Sequence, residues 1–297
     1  MDYQYFLIDV FSRQKFEGAQ IAVFPAAGAL SEQQMQMLAR ELNLSETVFL
    51  CAATDGNSRA RLRIFTPQQE LDFAGHPIIA AGFVLQDINA QSTISEWIQL
   101  NRESLFLDAV VIAGETKIHF TLKTSGQLDD FVPSARELGE ILHLGEQDIE
   151  QTLMKPVLVN CNGEYLLVPV KSVAALNEAR FNINKWTTSF VATLASKIIL
   201  CCRVRPAEPV MTFRLRLVGK GIDEQDDPPV GSAAAAMGLY LFSDKEDGIY
   251  HAVLQRGGDG RRKSLIELSL TKSAGKVISV KIGGYAVKTG SGVIYLD

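Results

Sequence analysis

A short pattern that occurs twice constrains this chain more than any other feature. Gly75-His76-Pro77-Ile78-Ile79-Ala80-Ala81-Gly82 opens one copy, and Gly231-Ser232-Ala233-Ala234-Ala235-Ala236-Met237-Gly238 opens the other. In each, a glycine and a polar residue lead into a helix of small residues, and a second glycine falls seven positions later. An apolar turn follows in both, Phe83-Val84-Leu85 and Leu239-Tyr240-Leu241. Acidic residues stand just ahead: Glu70 and Asp72 before the first copy, Asp226 and Asp227 before the second. Such a repeat predicts two similar halves, each aiming the unsatisfied N–H groups of a helix start at something. Two such ends facing one cleft suit an anion such as a carboxylate. A pair of buried packing helices with ordinary caps fits the bare pattern equally well.

Local signals fill in the remaining elements. Pro77 suits the first helical position, having no N–H to lose there, which makes His76 the expected N-cap. Ser232 is the better capping type in the second copy, since its oxygen accepts from an early backbone N–H. Ser31-Glu32-Gln33-Gln34 is a capping box leading into a helix over 35–42, with Asn43 as its stop. Ser134-Ala135-Arg136-Glu137 is a second box, leading toward Leu142. Strand-like runs cover 5–10, 21–24, 47–51, 60–65, 118–122, 157–160, 165–169, 198–204, 265–271 and 277–282. The order of elements is α+β with mostly antiparallel strands, not an alternating parallel βα run. The turn-rich stretch 123–133 is the expected hinge between halves.

Composition narrows the class of function. The 297 residues suffice for one large or two medium domains, and 47% hydrophobic with 21% charged residues is typical of a soluble globular chain. A net charge of −5 without a basic block argues against a nucleic-acid partner. No uncharged apolar run is long enough to span a membrane. The stretch 1–10 reads as a strand and not as a signal peptide. Cys51, Cys161, Cys201 and Cys202 form neither a C-x-x-C pair nor a zinc spacing, and a reduced, cytoplasmic setting suits them.

Few residues offer chemistry. Glu46, in Leu44-Ser45-Glu46-Thr47-Val48-Phe49, falls where a helix gives way to a strand. A carboxylate at an element end beside an apolar run can be partly desolvated, which favours its protonated form, whereas a glutamate taken alone is more often a solvated surface residue. His76 is the residue type best suited to proton exchange near neutral pH. Asp226 and Asp227 precede Pro228-Pro229, which fixes an extended turn. Ser232 is not in a G-x-S-x-G setting, so a serine hydrolase is rejected. His119, His143 and His251 are scattered and group into no metal site. Gly257-Gly258-Asp259-Gly260-Arg261-Arg262 lacks the Lys-Ser/Thr ending of a phosphate loop and precedes a strand, so it reads as a β-turn with exposed arginines. Gly18, Gly283 and Gly284 read as turn glycines.

Together these segments resemble the PhzF-like family, named for the phenazine-biosynthesis isomerase and related to diaminopimelate epimerase. Asp9-Val10-Phe11 with Phe16-Glu17-Gly18 is similar to its opening, and 44–49 to the block that carries its catalytic glutamate. Phe65-Thr66-Pro67 with 70–81 resembles its Gly-His-Pro block, and Asp226-Asp227-Pro228-Pro229-Val230-Gly231-Ser232-Ala233 its Asp-Pro-x-x-Gly-Ser-Ala block. Residues 255–264 resemble its Gly-Arg-x-Ser turn more weakly. The resemblance implies two similar lobes, each a curved antiparallel sheet or barrel around a central helix, with the active site in the cleft between. Residues 1–123 plus 283–297 would form the lobe carrying Glu46 and His76, and 124–282 the lobe carrying Asp227 and Ser232. It implies a homodimeric isomerase, free of cofactor and metal, acting on a small carboxylate by proton transfer. Glu46 would be the general acid/base, with His76, Asp227 and Ser232 positioning substrate and proton. Ser45, Gly75 and Gly231 would bind substrate.

Three departures stand out. The family's Gly-Asn-Pro is Gly18-Ala19-Gln20 here, which leaves Gln20 as a substitute ligand at a shifted position. The Thr ahead of Gly-Ser is Val230, and 214–218 lacks the usual aromatic. The cysteine pair of the related epimerases is absent, His76 and Ser232 standing in its two blocks. A weak or inactive small-carboxylate binding protein on the same fold is therefore the competing expectation.

Overall fold

Strands form where apolar residues alternate along the chain. The clearest case spans Glu115–Leu122, where Thr116, Ile118, Phe120 and Leu122 are buried and the residues between them are half-exposed. The computed structural model of the chain describes residues 1–123, 126–161, 163–204, 210–220, 222, 233–258 and 262–296. Its strands are β1 (Asp2–Val10), β2 (Ala19–Phe24), β3 (Thr47–Cys51), β4 (Ala60–Phe65), β5 (Glu70–Leu71), β6 (Thr93–Gln99), β7 (Ser104–Ile112) and β8 (Glu115–Leu122). They continue as β9 (Gln127–Asp129), β10 (Val157–Asn160), β11 (Glu164–Pro169), β12 (Lys197–Val204), β13 (Met211–Gly219), β14 (Gly248–Arg256), β15 (Ser264–Ser273) and β16 (Lys276–Tyr295). The helices are α1 (Glu32–Leu42), α2 (Gly75–Asn89), α3 (Ala135–Leu142), α4 (Val173–Glu178), α5 (Ile183–Thr188) and α6 (Ala233–Phe242). Pairing is mostly antiparallel, with parallel neighbours at β2–β3, β4–β6, β11–β12 and β13–β14.

The chain divides into two compact units. The first comprises Met1–Leu122, Arg262–Leu265 and Lys281–Asp297. Its strands follow the order β1-β2-β3-β4-β6-β7-β8-β16, and β16 pairs back onto β1, so the ring closes. Helix α2 touches β1, β2, β3, β4, β7 and β8 and is buried on every side from Gly75 to Gln86. A helix apolar around its whole circumference needs such an enclosure. Helix α1 covers the outside of β3 and β4 through Met35, Leu38 and Ala39, which pack with Phe24, Phe49 and Phe65. Ring pairs stiffen that layer, Phe24 stacked on Phe49 at 4.9 Å and Phe49 edge-on to Phe65 at 5.5 Å.

The second unit comprises Lys123–Arg261 and Ile266–Val280. Its strands run β9-β10-β11-β12-β13-β14-β15, followed by the first residues of β16. Helix α6 packs on β10, β11 and β14. A separate core of Leu138, Leu142, Leu176, Trp186, Ile198, Leu200 and Cys202 joins α3, α4 and α5 to β12. Alternation along β12 turns Cys201 away from that core, toward Tyr240 of α6, and all four cysteines are free thiols.

Both capping boxes form. Ser31 accepts from the Gln34 N–H and Ser134 from the Glu137 N–H, and Asn43 ends α1 in the left-handed conformation. Gly18 is a turn glycine with φ +70°. Three expectations need correction. The N-cap of α2 is Ala74, so Gly75 opens the helix and Pro77 is its third residue. A proline is tolerated there for the same reason as at the first position, since none of the first four N–H groups has an intrahelical partner. Gly283 and Gly284 lie inside β16, where a Cβ on Gly283 would sit 2.2 Å from the Ile118 carbonyl oxygen; they allow strands to approach, not to turn. Arg262 is not an exposed turn arginine, because its guanidinium pairs with the buried Asp9. Among the described residues no helix is long and apolar enough to cross a membrane.

Candidate active site

The left-handed Asn43 breaks α1 and sends the chain into β3, with Leu44, Ser45 and Glu46 as the connection. In β3 Phe49 faces the α1 layer, so period-two alternation gives Val48, and Glu46 before it, the face toward α2. There Glu46 Oε2 meets His76 Nε2, within the first turn of α2. Only 12% of the Glu46 side chain and 6% of the His76 side chain is exposed. Either the imidazole Nε2–H donates to the carboxylate or the protonated carboxyl donates to Nε2. One proton is thus held between two groups able to keep it. His76 Nδ1 is buried without a partner among the described residues.

The pair lies at a helix start whose backbone donors have no side-chain cap. No side chain caps α2, so its early N–H groups, those of Gly75 and His76, have neither a side-chain cap nor an intrahelical acceptor. Thr47, directly after Glu46, shares the face of Phe49 and is fully buried there, with Oγ1 unpartnered among the described residues. Ser45 is exposed and Gln20, on β2, is half-buried. Strands β2 and β3 run parallel with Ala22 beside Thr47. Gln20 and Ser45 each stand two residues ahead of that pair, at one end of the ring. Asp226, Asp227, Gly231 and Ser232 lie outside the described residues.

The acids ahead of α2 do structural work. Glu70 accepts from Arg63 Nε at 2.8 Å and Nη2 at 2.6 Å, and from Asn101 Nδ2 at 3.0 Å. Burial pushes the Glu70 carboxyl up, but the hydrogen bonds and charge of Arg63 and Asn101 outweigh it and hold the group below its ordinary value. Asp72 pairs with Arg102 at 2.7 Å. Among the described residues no group of three or more His, Cys, Asp or Glu side chains is arranged to hold a metal ion.

Asp9 and Arg262 escaped the sequence reading as a pair. Burial pushes the Asp9 carboxyl up, although the Phe16 N–H and Arg262 pull against it. The available signal was an acid inside the apolar run 5–10.

A closed ring of strands around an uncapped helix, with a buried carboxylate–imidazole pair at the helix start, is the frame of this unit. The chain belongs to the phenazine biosynthesis-like protein family, which matches residues 8–292, and it is an isomerase. An uncharacterized isomerase of Pasteurella multocida is 32% identical over 296 residues, covering 98% of this chain and 96% of that one. The trans-2,3-dihydro-3-hydroxyanthranilate isomerase of Pseudomonas chlororaphis is 29% identical over 299 residues, covering 99% of this chain and 100% of that one. The crystal structure of a PhzF-family phenazine biosynthesis protein from Bacillus anthracis shares the fold with a TM-score of 0.86 at 22% identity, over 100% of both chains.

Proposed function

We propose that this isomerase moves a proton between carbon atoms of a small carboxylate without a cofactor, with Glu46 as the general acid/base. The observation that carries the proposal is the buried contact of Glu46 with His76 at the uncapped start of α2. Glu46 takes a proton from a carbon conjugated with the carboxylate, the electron pair is delocalised onto carboxylate oxygen, and Glu46, its proton having exchanged with solvent, returns one proton at a second carbon. Atoms and charge balance, as an isomerisation requires. Developing negative charge needs donors that are already oriented, and the first-turn N–H groups of α2 supply them. His76 orients the Glu46 carboxyl and shares its proton. Ser45, Gly75 and Gly231 bind substrate, and Asp227 and Ser232 position it, in the roles that the family resemblance implies, with Gln20 as the substitute ligand where the family's Asn is missing. The same resemblance supports a diaminopimelate-epimerase-like pair of lobes, 1–123 plus 283–297 and 124–282, and a homodimer.

The substrate is a small carboxylate other than trans-2,3-dihydro-3-hydroxyanthranilate. Ala19 is buried at the start of β2 and has no side chain to hydrogen-bond a ligand, and Val230 has no hydroxyl. Each lost hydrogen bond to a bound polar group weakens binding by about 1–3 kcal/mol. Deuterium incorporation from heavy water, followed over a panel of cyclic and amino-acid carboxylates that includes trans-2,3-dihydro-3-hydroxyanthranilate, tests both statements. Glu46→Gln is expected to lower exchange by at least about a hundredfold while leaving binding of the same carboxylate measurable by calorimetry. Full exchange in that variant removes Glu46 from the mechanism. Efficient turnover of trans-2,3-dihydro-3-hydroxyanthranilate by the unaltered protein overturns the statement on substrate.

A further inference from the structure

Asp9 on β1 is a carboxylate with no exposed surface. Its Oδ2 accepts from the Phe16 N–H at 2.6 Å and its Oδ1 from Arg262 Nη2. The same guanidinium donates through Nε to the Gly18 carbonyl at 2.9 Å and through Nη2 to the Glu17 carbonyl at 3.0 Å. Backbone bonds run alongside: the Gly18 N–H donates to the Lys263 carbonyl at 2.7 Å and the Leu265 N–H to the Phe11 carbonyl at 2.8 Å. The Lys263 N–H donates to the Glu17 carboxylate. One short segment, Arg262–Leu265, therefore grips the loop 11–18 along its length.

The loop needs that grip. Phe11, Phe16 and Gly18 have φ of 61°, 69° and 70°, and two of the three are not glycine. Such residues persist in the left-handed region only when their surroundings over-determine them. Gly18 admits no side chain at all, since a Cβ there would lie 2.1 Å from the Val10 carbonyl oxygen. A planar guanidinium can serve three oxygens in fixed directions, which a lysine ammonium does less well.

What the loop delivers is the first turn of β2. Ala19 pairs with Val10 and Gln20 with Asp9, so the buried acid and Gln20 face each other across the ladder. Strand β2 in turn lies beside β3, with Ala22 next to Thr47. The start of β2 and the Ser45–Glu46 connection therefore share one end of the ring.

We propose that Arg262 is a positioning residue for the isomerase reaction: through Asp9 and the Glu17 and Gly18 carbonyls it fixes the loop 11–18, and with it the placement of Gln20 beside the Ser45–Glu46 connection, without touching substrate. The roles of Gln20 and Glu46 rest on the function proposed above; the grip on the loop does not.

The test compares Arg262→Lys, the double variant Asp9→Asn with Arg262→Met, and Glu46→Gln in the full chain. Two readouts are taken on each. Limited trypsin digestion reports loop order by cleavage after Arg13 and Lys15, both exposed in the loop. Initial rates of deuterium incorporation into the best carboxylate of the panel give KM and kcat. The double variant strands no lone buried charge. It is expected to be cut about tenfold faster at Arg13 and Lys15, with KM raised about tenfold and kcat within about threefold of the unaltered protein. Arg262→Lys is expected to recover part of the KM loss, because an ammonium still pairs with Asp9. A folded double variant with unchanged cleavage and unchanged KM overturns the proposal, as does lowered thermal stability with unchanged KM, which is what a purely structural ion pair gives. If the double variant does not fold, Arg262→Lys decides by itself: raised KM with faster cleavage supports positioning, and neither change overturns it. Glu46→Gln separates the two proposals, since it is expected to lose kcat while the loop stays as resistant to trypsin as in the unaltered protein. Normal kcat in Glu46→Gln defeats the proton-transfer role and leaves the cleavage comparison to judge Arg262.

Discussion

Gly82 of α2 and Gly238 of α6 hold the same place in the repeat, yet the space around them differs. A Cβ on Gly82 would lie 2.7 Å from Ile118 Cγ2 and 2.9 Å from Leu107 Cδ1. A Cβ on Gly238 would lie 3.2 Å from the nearest carbon of Leu268. The second glycine of each copy is thus a packing glycine, and it matters more where the strands close into a ring around the helix. The acids ahead of the first copy's helix are structural. Glu70 and Asp72 are engaged by Arg63 and Arg102, so the first copy spends its acids on holding strands together. The carboxylate that meets His76 comes instead from Glu46, in the α1–β3 connection. The repeat therefore preserves a packing glycine in both copies, with tighter surroundings in the first.

The largest expected effect tests the roles proposed for the two helix starts. His76→Asn at the start of α2 removes the ring nitrogen that shares a proton with Glu46, and kcat for deuterium exchange should fall at least about a hundredfold. Ser232→Ala in the second copy removes the hydroxyl proposed to position substrate, so KM should rise about tenfold with a smaller change in kcat. Equal effects of both variants on kcat would erase the proposed asymmetry.

Next in size is the acid ahead of α2. Glu70→Gln leaves Arg63 without its bidentate partner and should cost about 1–3 kcal/mol at neutral pH, read by denaturant unfolding. The sign with pH follows from the direction of the shift. The Glu70 carboxyl is held below its ordinary value in the folded chain, so its contribution is fully present above about pH 4.3 and is lost as pH falls through the lower folded value. The stability gap between the unaltered protein and Glu70→Gln should therefore close in acid. A gap that widens there would mean that Glu70 is not held as an ion pair.

Local chemistry made part of this legible in advance. The capping boxes at Ser31 and Ser134 are resolved within four residues, and both helices start where those signals stand. Runs with concentrated apolar residues, such as 47–51 and 60–65, matched β3 and β4. Strand β13 escaped because Arg214 and Arg216 interrupt its apolar run, Arg216 being buried by donating to the carbonyls of Leu176, Asn177 and Ala179. Strand β6 escaped because Ser95, Glu96 and Gln99 make it polar. Contacts at long range leave no trace in spacing. Glu46 and His76 are 30 residues apart, each marked by its own type and setting, and only the family resemblance put them in one site; Asp9 and Arg262 are 253 apart, and nothing local hints that they meet.

The ring predicts a measurable cost at Gly82. Alanine gains about 1 kcal/mol of helix propensity over glycine. Against this, a methyl group pressed to 2.7 Å from Ile118 forces side chains or backbone to shift, an overpacking penalty of about 1–3 kcal/mol. Gly82→Ala should therefore be destabilising by up to about 2 kcal/mol in denaturant unfolding. A more stable Gly82→Ala would show that the strands around α2 yield more easily than their closure suggests.

Gly238→Ala carries the smallest expected effect and is the sharpest control on the comparison. The added methyl would meet Leu268 at 3.2 and 3.3 Å, contacts that a leucine side chain relieves by moving a few tenths of an ångström. The gain of about 1 kcal/mol in helix propensity then offsets the crowding. Stability should change by no more than about 0.5 kcal/mol in either direction, within the range of surface-like substitutions. Because Leu268 lies on β15 and belongs to the same unit as α6, the result reads the packing of that unit alone. A loss as large as that of Gly82→Ala would mean that α6 is held as tightly as α2. The different surroundings of the two glycines would then have no energetic consequence.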